Sequence, residues 1–188
     1  MRRLALIPLL AFVFACNDSQ PMAPDDLAPQ LSVAGAPVQT ASGSGNFQGR
    51  FVNPAVFPGR ILGRTFAFAA KKWADGSVTG QWTRHLHCGP FEQSGCGGKS
   101  HGVVTCMTVI GNTAYLGGYA TSGRFSEPPN NEVGWFVVDN GEGANDPPDI
   151  MSLQWVEFEP GFAQSYCDTQ QPEPGFREIS GGDITVDG

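Results

Sequence analysis

Three histidines and two cysteines crowd one short stretch of the chain: His85-Leu86-His87-Cys88, then Cys96 and His101. Imidazole and thiolate are the ligands of tetrahedral zinc sites. If the segment is extended, His85 and His87 share a face, because side chains alternate along a strand. The spacing fits no specific zinc module, however. Cys88 and Cys96 flank a glycine-containing loop and read better as a disulfide, which would remove both thiolates. The same histidines could instead do acid–base work: His85, His87 or His101 with nearby acids would suit a small hydrolase or lyase.

A second constellation is Asp139-Asn140-Gly141-Glu142-Gly143-Ala144-Asn145-Asp146-Pro147-Pro148-Asp149. The carboxylates of Asp139, Glu142, Asp146 and Asp149 are candidate hard-oxygen ligands for calcium. Their order is not that of an EF-hand loop. The competing reading is a rigid polar turn, with glycines at positive φ and Asx side chains bonding the backbone. Gly95 to Ser100 has the ending of a phosphate-binding loop, but the first glycine of that motif would fall at Gln93. Nucleophile elbows and the HExxH zinc motif are absent. The residues therefore favour a non-enzymatic binding or structural module that needs no cofactor, over the hydrolase or lyase.

Those groups must be placed by a folded domain, and the amino terminus says where that domain works. Met1-Arg2-Arg3 precedes an uncharged apolar run from Leu4 to Ala15. A basic start, a short apolar core and a small residue before the cut form an export signal. The run is too short to span a bilayer, which takes about 20 residues. Val13-Phe14-Ala15-Cys16 resembles the lipobox of bacterial lipoproteins. That resemblance implies cleavage before Cys16 and lipid on its thiol and new amino terminus, so the membrane is the partner expected at this end. Residues 1–15 are thus expected to be a lipoprotein signal peptide. Residues 16–45, rich in Pro, Ala, Ser and Gly, are expected to be the lipidated cysteine and a disordered tether. Residues 46–188 should form one domain, exported and lipid-anchored to the cell membrane or the outer membrane, in the periplasm or at the cell surface.

Loss of Arg2 and Arg3 with the leader takes the formal charge from −7 to −9. A net acidic chain without a Lys/Arg cluster has no electrostatic footprint for nucleic acid. Four cysteines remain beyond Cys16: Cys88, Cys96, Cys106 and Cys167. An even number in an exported domain points to two disulfides. Of the three possible pairings, Cys88–Cys96 with Cys106–Cys167 is favoured.

The domain reads as all-β. Short alternating runs recur at Phe47–Val52, Arg64–Ala70, Val78–Thr83, Val103–Ile110, Ala114–Ala120, Val133–Val138, Ile150–Phe158 and Ile179–Val186. Asp75-Gly76 and Gly111-Asn112 are tight-turn signals. No window has a convincing 3.6-residue period, so helix should be scarce. About eight strands joined by tight turns form an antiparallel meander, with a closed barrel placed ahead of a two-sheet sandwich. Four Trp and thirteen Phe are many for this length. Most should fill the core, and Trp73, just before a turn, is the aromatic most expected at the surface.

The chain also resembles a group of uncharacterised exported lipoproteins of environmental bacteria. The likeness runs through His101-Gly102-Val103-Val104-Thr105-Cys106, Gly111-Asn112-Thr113-Ala114, Leu116-Gly117-Gly118, Gly134-Trp135, Val137 to Asn145 with Pro147-Pro148-Asp149, and Tyr166-Cys167-Asp168. It covers roughly residues 45–187. It implies a β-rich domain behind a lipidated leader and supports pairing Cys106 with Cys167. It carries no activity.

Overall fold

A computed structural model describes residues 35–50, 61–87, 97–123, 132–143, 145–152, 155–157, 160–170 and 175–188. The expected leader, Cys16 and the Cys88–Cys96 pair lie outside the described residues. The elements are β1 (Gln39–Arg50), β2 (Ile61–Lys72), β3 (Val78–His87), β4 (Gly98–Ile110), β5 (Thr113–Gly123), β6 (Glu132–Val138), β7 (Ile150–Met151), β8 (Trp155–Glu157), α1 (Phe162–Thr169), β9 (Arg177–Glu178) and β10 (Gly181–Asp187). All strand pairs are antiparallel. They form one sheet in the order β10-β1-β2-β3-β4-β5-β6-β7-β9, with β8 also on β6. The all-β antiparallel meander is therefore present, as a single sheet curled into a half-barrel in place of both the closed barrel and the two-sheet alternative.

Two expectations shift. The tether was expected to reach residue 45, but residues 39–45 form the first half of β1, with Ala41 fully buried. The single run expected over Ile150–Phe158 is two short strands, β7 and β8. The turn signals hold: Gly76 sits at φ +85° and Gly111 at φ +59°, in the left-handed region that glycine tolerates.

The core follows from a small-against-large pattern on the inner face. Gly43 and Gly45 of β1 face Phe68 and Phe66 of β2. Gly102 of β4 faces Trp82 of β3, and a Cβ there would stand 2.7 Å from the indole. The rings then run in contact through the sheet. Trp82 and Trp135 are 6.2 Å apart, Trp135 and Phe68 6.2 Å, Phe68 and Phe66 6.3 Å, and Phe66 and Phe47 5.9 Å between centroids. These rings share one core cluster, with Trp82 and Trp135 both in it.

β9 and β10 are separated only by Ile179 and Ser180, so the two ends of the sheet meet there. No ladder joins β10 to β6 or β7; carboxylates span that seam instead. Asp149 accepts Ile184 N–H at 2.8 Å and Asn140 N–H at 2.8 Å. Asp139 accepts Val186 N–H at 3.0 Å and Gly141 N–H at 2.8 Å. These bonds satisfy the outward donors of a strand whose other edge pairs with β1.

Candidate functional site

Strands β2, β3 and β4 carry a groove of about 390 Å³, lined by Thr65, Ala67, Thr83, His85, Lys99 and His101, with Phe66, Arg84 and Ser100, of the other parity, between them. The register places these side chains together. Thr65 pairs with His85 and Ala67 with Thr83; His85 then pairs with Lys99 and Thr83 with His101. Because the pleat alternates, all share the parity opposite to Phe66, Phe68 and Trp82. His87 joins them at the groove's edge, its ring 3.9 Å from that of His85. The structure thus gathers all three histidines of the chain on one surface.

Their hydrogen bonds decide what they can do. Thr65 Oγ1 donates to Asn46 Oδ1 at 3.0 Å and lies 3.0 Å from His87 Nε2. A hydroxyl has one proton, so while Thr65 gives its own to Asn46, the bond to His87 is donated by Nε2. Ser122 Oγ lies 2.9 Å from Nδ1 and 2.8 Å from Nε2 of His101. An in-plane bond to one ring nitrogen would hold the hydroxyl much farther from the other. The serine therefore sits over the ring, off the lone-pair direction that proton abstraction needs. No carboxylate lines the groove. The hydrolase or lyase reading asks for a histidine within hydrogen-bond reach of a carboxylate or hydroxyl; Thr65 beside His87 and Ser122 beside His101 supply hydroxyls within that reach.

The candidate calcium ligands lie elsewhere, along the seam. A groove of about 310 Å³ there is lined by Glu142, Asp146, Asp149 and Asp183 and by no cationic side chain. Asp139 and Asp149 serve the backbone as described, and Asp146 accepts Gly143 N–H at 2.7 Å. A hydrogen bond with Asp183, then that residue's charge, raise the Glu142 carboxyl above its ordinary value. Among the described residues no three His, Cys, Asp or Glu side chains come together as a metal site. The four acids named from sequence are neighbours, but the structure uses Asp139, Asp146 and Asp149 as turn and seam acceptors and sets Glu142 against Asp183.

Cys106 of β4 is disulfide-bonded to Cys167 of α1, with Cα atoms 6.2 Å apart. Trp73 is half-buried and donates from Nε1 to Thr79 Oγ1 at 3.1 Å. Tyr119 and Phe176 are the exposed large aromatics among the described residues. Matched against models of protein families, curated proteins and solved structures, the chain finds no counterpart.

Two residues escaped the sequence reading. Arg64 and Arg84 lie at the groove's end of β2 and β3, but on the inner face. The signal was parity: Arg64 is in step with Phe66 and Phe68, and Arg84 with Trp82. A charge on the apolar parity of a strand marks a place where something other than core packing is served.

Proposed function

We propose that this chain is a lipoprotein held to the cell envelope through Cys16, and that its β domain is a non-enzymatic binding module for a negatively charged ligand. The observation that carries this reading is the separation of charge between the two grooves. In a chain of formal charge −7, one groove collects His85, Lys99 and His101 without an acid, while the other collects four acids without a cation. Clefts lined by one sign of charge concentrate ligands of the other sign. The leader and lipobox supply the anchoring half of the reading, and the Cys106–Cys167 bond suits an oxidising compartment.

Two measurements test it. Cys16→Ala should abolish lipidation and release the protein from the membrane fraction; retention in membranes counts against the anchor. Wild-type protein should be held on a sulfated or carboxylated resin despite its net negative charge, and Lys99→Glu should elute at clearly lower salt. Equal elution of the two would remove the groove from the reading.

A further inference from the structure

Behind the outer groove, on the inner face of the same strands, the chain carries a second cationic feature. Arg64 pairs with Leu86 and Phe66 with Arg84, so the two arginines are diagonal neighbours facing inward. The Arg64 guanidinium carbon lies 5.8 Å from the centre of the Phe47 ring, and that of Arg84 6.0 Å from Trp82. Arg64 as a whole is half-buried, but its Nη1 is enclosed and has no hydrogen-bond partner among the described residues. Burial pushes Arg64 down to about 10. Arg84 falls to about 10 through burial and then through the nearby charge of Arg64. Ring faces return only part of what desolvating a guanidinium costs, and a buried charge is otherwise paired and hydrogen-bonded.

An enclosed, orphaned guanidinium nitrogen beside a second cation calls for an anion with oxygen acceptors. We propose that Arg64 anchors a small-oxyanion site at the inner rim of β1–β3, its planar fork holding a carboxylate, sulfate or phosphate group against the Phe47 and Phe66 rings. Arginine suits this because its fork matches such groups with two parallel bonds. Arg84 adds positive potential from the adjacent position. Phe66 and Arg84 also border the outer groove, but the anchor Arg64 does not, so Arg64 can be changed without removing a lining residue of that groove.

The test uses the purified full chain in chloride buffer. Inorganic phosphate, sulfate and acetate are titrated separately against chloride at equal ionic strength, with melting temperature and calorimetric binding as readouts. At least one oxyanion should raise the melting temperature saturably, and chloride should not, since only a ligand of the native state stabilises it. A response to acetate alone assigns the site to carboxylates; a response to phosphate or sulfate assigns it to tetrahedral anions. Arg64→Met should weaken binding at least tenfold. It should also melt no lower than wild type in chloride, because an apolar side chain of similar length removes an unpaired buried charge. Arg64→Lys should keep the charge but lose the fork, and with it most of the affinity. Lys71→Glu, an exposed change toward the other end of β2, should leave the response unchanged. The proposal is overturned by an equal rise in chloride, by no response to any of the three oxyanions, or by an Arg64→Met protein that still responds. An Arg64→Met protein melting well below wild type in chloride would also overturn it, by showing the guanidinium already satisfied within the chain.

Discussion

Single side chains in this protein do work that strands usually do. Asp149 is buried and each of its oxygens takes a backbone N–H, one from Asn140 and one from Ile184. Asp149→Ala would orphan both donors, and each buried orphan costs about 1–3 kcal/mol. Chemical denaturation should show a loss of about 3 kcal/mol, with Asp149→Asn retaining part of the stability through its one remaining acceptor oxygen. Glu142 lies at the same seam with a raised carboxyl, because a hydrogen bond to Asp183 and that residue's charge favour its protonated form. A folded-state value above the unfolded one stabilises fully below the ordinary range near 4.5 and fades as pH rises through the raised value. Glu142→Gln keeps a donor for Asp183 without the charge. It should therefore melt above wild type at neutral pH, with the gap closing on acidification. At this scale the sequence was legible in type but not in role. The acid run stood out at once, yet oxygen ligands and oxygen acceptors are the same atoms. Only the approach of β10, about 35 residues further along the chain, decides between them.

Among the elements, α1 shows what strand patterning leaves out. It packs on the outer face of β4, β5 and β6, over the paired Gly117 and Gly134. A Cβ on Gly134 would lie 2.6 Å from the Tyr166 ring, and one on Gly117 2.5 Å from the Ala163 carbonyl oxygen. The two glycines make a flat bed for the helix. Glu132 of β6 holds its start, accepting Gly161 N–H at 2.9 Å and Ala163 N–H at 2.6 Å, and the Cys106–Cys167 bond fastens its end. Gly134→Ala should cost about 1–3 kcal/mol by overpacking, seen as a lower melting temperature with the disulfide intact. The favoured pairing pointed to this junction, but an eight-residue helix is too short to declare a period. β1 was missed in its first half for the converse reason. Gln39 to Gly45 holds no large apolar residue, because the bulk opposite it comes from Phe66 and Phe68. The hairpins at Asp75-Gly76 and Gly111-Asn112 were plain, since their signal is local.

At the scale of the whole molecule, the sheet is organised around the pairing of its first and last long strands. Thr40 to Asn46 of β1 lie against Gly181 to Asp187 of β10 in unbroken register. Ile184 is fully buried in the shared core. Removing residues 181–188 would bare one edge of β1, empty the Ile184 position and take from Asp139 and Asp149 one of their two backbone donors each. Such a truncation should lose cooperative unfolding, which circular dichroism against temperature would show. The meander of β1 to β6 could be read because each strand follows its neighbour. The return of the carboxyl end could not, because nothing in a strand's own sequence says which edge it will meet.

That return has a consequence for biosynthesis. A polypeptide threading out of a pore cannot finish this wall until residues 181–187 have followed, so any product cut before them keeps a raw border along β1. Proteolytic surveillance would find such fragments by that border, and only copies that carry residues 181–187 would mature into the compact form.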